Sequence, residues 1–121
     1  MTGACFDSVI LIDILNGRPE AGPLMKSIRP QHRFISIVTR TELLTGTCSD
    51  FEWAQAGHLL DRFVQIDVTA AIADAAARLR QQHRLKTPDA IIAATAAAQS
   101  VPLFTRDTAL AALPGVVLAY A

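Results

Sequence analysis

Residues 4–17 read ACFDSVILIDILNG. The stretch begins as a short apolar run, meets an aspartate, and passes through a serine into an apolar-rich octet that a glycine ends. ACFD at 4–7 reads as a strand. Ser8 suits a helix N-cap, VILIDILN continues as a helix, and Gly17 suits its end. A strand that turns directly into a helix is half of a βαβ unit, which requires the next strand to lie parallel. The remaining chain repeats the alternation. PEAGPLMKSIR, 19–29, reads as a short helix interrupted at Gly22–Pro23. RFISI, 33–37, alternates and is β-branched, a second strand, and VTRTELLTG follows as a helix that stops at Gly46.

Between 50 and 63, Phe51, Ala54, Leu59, Leu60 and Phe63 recur at helical spacing; Phe51, Trp53 and Leu59 are assigned to the core in preference to an apolar patch for a partner helix. FVQIDV, 63–68, is a third strand, and TAAIADAAARLRQQH, 69–83, a helix capped by Thr69. Thr87 suits the N-cap of the alanine-rich helix 88–98, with Pro88 at its first position. VPLFT, 101–105, is a fourth strand, and VVLAY, 116–120, a fifth after the Pro114–Gly115 turn. The expectation is an α/β chain: one domain over residues 1–121, a three-layer α/β/α sandwich on a mostly parallel five-stranded sheet.

Composition narrows the function. Hydrophobic residues form 51% of the 121 positions, yet no uninterrupted apolar run is long enough to cross a bilayer, so no membrane association is expected. MTGACFD lacks the basic region of a secretory signal, which points to the cytoplasm. Cys5 and Cys48 fit reduced thiols and show no zinc spacing. Eleven acidic residues balance eleven basic ones, so no global field attracts nucleic acid. RLRQQHRLK, 78–86, carries five basic residues, counting His83 with three Arg and one Lys, and no acid; a solvated helix end is favoured over a phosphate-binding patch. His32, His58 and His83 share no ligand spacing, and the glycines are too dispersed for a phosphate loop.

The carboxylates carry more. In an open α/β sheet the ligand site lies beyond the carboxyl ends of the strands. Asp7 ends the first strand, and Asp107 follows the fourth in LFTRD. Glu42 lies early in the helix after the second strand, and Asp89 in the first turn of the helix after KTP. A carboxylate there also has a local explanation, since the helix dipole stabilises it by roughly 0.3–1 kcal/mol. Four acids converging on one edge would repel, so their pKa values rise or a hard cation such as Mg²⁺ joins them, as one ion or two. Asp13, Asp61, Asp67 and Asp74 read as solvated or paired surface acids. Arg40, two places before Glu42, reads as an ion-pair partner before a phosphate contact, whereas for Arg106, beside Asp107, contact with substrate or with a partner's carboxylate is equally weighted.

CFDSVILIDIL, ISIVTRTELLTG, KTPDAIIAATA and LFTRD, in that order over about 120 residues, resemble the PIN-domain ribonucleases, most of all the VapC toxins of type II toxin–antitoxin systems. The resemblance implies a PIN-like fold and an Mg²⁺-dependent endoribonuclease, with Mn²⁺ as the alternative ion. It also implies an RNA substrate, a small cognate antitoxin and a homodimer. Asp7, Glu42, Asp89 and Asp107 map onto the family's catalytic and metal-binding acids, and Ser8 and Thr105 onto supporting hydroxyls. Two positions depart from the pattern. Val9 stands where relatives often have Asn, and Leu110 where they often have a further acid. Both weaken the expectation of a second ion and leave open a binding module that cuts poorly and acts mainly through its antitoxin complex. A phosphoacceptor receiver domain shares the alternation, but no Lys follows residue 86.

Overall fold

The computed structural model describes residues 3–121. In chain order, β1 is Ala4–Phe6, α1 Ser8–Leu15, α2 Ala21–Lys26, β2 Arg33–Ser36, α3 Ile37–Thr45, α4 Asp50–Leu60 and β3 Val64–Ile66. Then come α5 Ala70–Gln82, α6 Thr87–Ala98, β4 Leu103–Thr105 and β5 Val116–Leu118, with 3₁₀ turns at Pro30–His32 and Thr108–Leu110. The five strands form one sheet in the order β3-β2-β1-β4-β5. Every pairing is parallel, with Cys5 opposite Phe34 on one side and Leu103 on the other. The sheet is therefore wholly parallel, and all five carboxyl ends reach the same edge.

Side chains alternate between the two faces of the sheet, as a pleated strand requires. Ala4, Phe6 and Ile35 join the α1, α2, α3 and α4 side chains Ile10, Leu11, Met25, Leu43 and Leu60 in one core. Phe6 meets Phe63 and Phe104 edge to face, at centroid distances of 5.3 and 5.5 Å. Cys5 and Leu103 point the other way, onto Ile92 and Ala96 of α6. Burial pushes the Cys5 thiol up to about 12, so it stays an inert apolar filler. On that face α5 packs on α6 through Ile72, Ala76, Ala90 and Ala94. The three layers follow directly from this alternation.

Local expectations hold at Gly46, which terminates α3, and at Thr69, whose side chain accepts the Ile72 N–H. Gly115 takes a positive φ of 78°, the turn into β5 that its lack of a Cβ allows. Others need correction. Asp7, not Ser8, caps α1, because its carboxylate accepts the Ser8 N–H and Ser8 is already helical. Lys86, not Thr87, occupies the cap position of α6 and makes no side-chain cap bond. Gly22–Pro23 does not interrupt α2: both lie in its first turn, where proline's missing N–H is no loss. Leu59 is buried as expected, but Phe51 and Trp53 are 71% and 56% exposed and lie outside the core. Among the described residues no helix is long and apolar enough to cross a membrane.

Phe6→Ala is expected to cost about 3–5 kcal/mol in urea unfolding, because it removes the ring that joins Phe63 to Phe104. Trp53→Ser should stay within about 0.5 kcal/mol of wild type in the same measurement.

Candidate active site

Parallel strands deliver their last residues to one place. Asp7 follows β1, the central strand, and is only 6% exposed. Its Oδ1 accepts the Ser8 N–H at 2.8 Å, and its Oδ2 accepts the hydroxyl of Thr105, the last residue of β4, at 2.7 Å. Thr105 Oγ1 in turn accepts the Asp107 N–H at 3.0 Å, and Asp107 Oδ1 accepts the Ala109 N–H at 2.9 Å. On the β2 side, Ser8 Oγ donates to Glu42 Oε1 at 2.5 Å and lies 3.2 Å from the buried Thr39 hydroxyl. Asp89 occupies the third position of α6, so the helix dipole and the cavity both act on it. Asp7, Glu42, Asp89 and Asp107 line a single open cavity of about 470 Å³, with Ser8 and Arg106 on its wall.

Crowding shows in the electrostatics. Asp7 is pushed up to about 6, chiefly by burial. The charges of Asp89 and Glu42 act in the same direction, and the hydrogen bonds from Thr105 and Ser8 oppose them. Asp89 is raised by burial and by Asp107 and Glu42, and Lys86 partly offsets this. An all-oxygen, anionic donor set of this kind suits a hard divalent cation. Among the described residues no three of the His, Cys, Asp and Glu side chains already stand at coordinating spacing. The acids share a cavity without closing a cage.

The remaining candidates separate. The Thr105 hydroxyl donates to Asp7 and the Ser8 hydroxyl to Glu42. Arg106 borders the cavity, but its guanidinium is committed: Nε and Nη2 donate to Asp13 at 2.6 and 3.0 Å. Asp13, expected to be solvated or paired, is paired and buried, and Arg106 holds its carboxyl below the usual range. Tyr120, absent from the sequence-level candidates, adds its hydroxyl to Asp13 at 2.8 Å. One sequence signal for this pairing existed, a carboxylate inside the apolar run VILIDIL. Among the described residues Arg40 makes no ion pair; it donates to Gln65 of β3 at 3.2 Å and is not among the residues lining the cavity. Val9 lines the cavity with an apolar side chain, and Leu110 is fully buried beside Ile92 in the core under α6. Asp61, Asp67 and Asp74 are exposed, as expected. A second cavity of about 380 Å³ between α1, α3 and α4 adjoins the first through Ile12 and Glu42.

The family model of the PIN domain matches residues 4–116. A chain of a toxin–antitoxin complex from Klebsiella pneumoniae superposes with a TM-score of 0.89, at 38% identity over 98% of both chains. A chain of VapBC-5 from Mycobacterium tuberculosis, 25% identical, superposes at 0.65 over 95% of this chain and 93% of that one. A chain of DNA-bound VapBC from Salmonella typhimurium shares the fold at 0.77, with 16% identity over 96% of each. None of the curated proteins matches the chain.

The Asp7 shift makes stability depend on pH. Its carboxyl binds a proton more tightly folded than unfolded, so the stabilisation is complete below pH 4 and fades as pH rises through 6. The loss reaches about 3 kcal/mol at most. In cation-free buffer Asp7→Asn should therefore gain on wild type between pH 4 and 7.5, measured as the difference in urea unfolding free energy at each pH.

Proposed function

The chain belongs to the PIN-domain family, and from that premise we propose that it is the toxin of a VapBC-type toxin–antitoxin pair, an Mg²⁺- or Mn²⁺-dependent endoribonuclease of the cytoplasm. The observation that carries this reading is the convergence of four carboxylates, from four separate segments, on one cavity at the carboxyl edge of the sheet. The 38% identity to a chain of a toxin–antitoxin complex supports the toxin role. Asp7, Glu42, Asp89 and Asp107 would hold the cation. A divalent cation there supplies Lewis acidity, making a water nucleophilic near neutral pH and offsetting charge on the scissile phosphate.

The chain's own residues do the rest. Thr105 and the Ser8 N–H fix the Asp7 carboxylate, and Ser8 Oγ orients Glu42. In this reading the attacking group is water, made nucleophilic by the cation, and no covalent intermediate on the chain is needed. Water attacks phosphorus in line, the bond to the 3′ oxygen breaks, and that oxygen takes up a proton, leaving a 5′-phosphate and a 3′-hydroxyl. Unstacked loops and single strands are the RNA targets whose bases and backbone are accessible to such a cavity.

The proposal includes a small cognate antitoxin and a homodimer. Ile12 and Leu15 of α1 are 39% and 41% exposed and line the groove that adjoins the acid cavity, an apolar seat for an antitoxin segment. A second reading, a weakly cutting binding module, draws on the absence of ready coordinating spacing among the described acids and on Val9 in the cavity wall.

Cleavage of a mixed pool of structured RNAs separates the two. Cutting should appear with Mg²⁺ or Mn²⁺ and stop with EDTA. Asp7→Asn and Asp89→Asn should each lose about 100-fold or more, beyond the 10–100-fold typical of groups outside the coordination shell. A folded wild type that cuts nothing yet copurifies with the antitoxin encoded beside it would favour the binding module. In that same copurification Leu15→Asp should lose the antitoxin while keeping the wild-type melting temperature.

A further inference from the structure

Asp13 is a buried carboxylate to which the cleavage reading gives no part. It lies on α1, is 5% exposed, and accepts three hydrogen bonds, two from Arg106 and one from the Tyr120 hydroxyl. Arg18 stacks over the Tyr120 ring, 4.5 Å from its centroid, and closes the cluster from outside. Arg106 is flanked by Thr105, which holds Asp7, and by Asp107, which lines the cavity. Helix α1 and its cap therefore grip both the last residue of β4 and the residue after it. Its cap residue Asp7 takes Thr105, and about two turns further on Asp13 takes Arg106. A bidentate fork fixes orientation as well as distance, which a single ammonium contact does not.

We propose that Asp13 is a positioning residue of the nuclease site: through Arg106 it holds the Thr105–Asp107 turn so that Asp107 stays on the cavity with Asp7, Glu42 and Asp89. The inference rests on the metal-dependent nuclease reading above. Asp107 is the acid with least support from its own element, since it stands beyond the end of β4 and only a single 3₁₀ turn follows it. The Asp13–Arg106 pair supplies the missing restraint from the neighbouring helix.

The test compares wild type, Asp13→Asn, Arg106→Lys and the double variant by two readouts. Hydrogen exchange of the Asp107 and Ala109 amides, without cation, reports the turn itself, because both are hydrogen-bonded within it. Mn²⁺ titration reports the consequence for the acids. Each single variant should speed exchange at those two amides while the β1 and β2 amides keep their protection, and should weaken Mn²⁺ binding about 10-fold or more, as loss of an outer-shell partner does. The double variant should be no worse than Arg106→Lys alone. Unchanged exchange and affinity, a uniform rise in exchange across the chain, or additive losses would overturn the proposal. If Asp13→Asn does not fold, Tyr120→Phe, which deletes one of the three bonds, should give a smaller change of the same pattern. A wild type that binds no Mn²⁺ defeats the nuclease reading and this inference with it; wild-type binding shared equally by the variants defeats this inference alone.

Discussion

Asp7 is a carboxylate buried at the end of the central strand with three other acids facing the same cavity, and the surrounding structure is organised by what that placement demands. A charged group so enclosed must be hydrogen-bonded, and each of its oxygens is, one to the first N–H of α1 and the other to Thr105. Those two bonds join β1, α1 and β4 at a single residue. The hydrogen bonds lower its pKa and burial raises it, and burial wins. Without a cation the folded chain carries this cost at neutral pH. Functional sites often hold such local conflicts, stabilised by the packing beneath them.

That packing is conventional. A wholly parallel sheet places every strand end on one edge and needs helices on both faces, which explains why an acid after β1, another after β4, one in the second turn of α3 and one in the first turn of α6 meet at all. The apolar layers below are continuous: Phe6 and Ile35 on one face, Cys5 and Leu103 on the other. The edge can therefore be polar and crowded while the core remains dry. In the groove beside it, Ile12 and Leu15 are exposed, and through Ile12 that apolar surface reaches the acid cavity.

Much of this was legible in the sequence because it depends on patterns only a few residues long. All five strands, the stop at Gly46 and the cap at Thr69 follow from alternation and capping chemistry, and the meeting of Asp7, Glu42, Asp89 and Asp107 follows from topology. The errors share a cause. Ser8 and Thr87 look like caps in isolation, but Asp7 can do the same work one residue earlier, and Lys86 sits at its cap with no side-chain bond. Phe51 and Trp53 have core-like chemistry, yet α4 turns Ala56, Leu59 and Leu60 inward instead. Asp13 is the clearest case. Its partners Arg106 and Tyr120 are 93 and 107 residues away, a separation that no local pattern encodes. Helix periodicity and charge can mark such a carboxylate as unusual but cannot name its partner.

The central claim is that these four acids are one divalent-cation site, and the most direct measurement is an anomalous difference map from crystals grown with Mn²⁺. The expected result is a peak in the cavity bounded by Asp7, Glu42, Asp89 and Asp107, with at least one Asp7 oxygen within coordinating reach and the peak absent from Asp89→Asn crystals. A fully soaked crystal with no peak there, or a peak that survives Asp89→Asn unchanged, would contradict it and return Asp89 to the simpler role of balancing its own helix dipole.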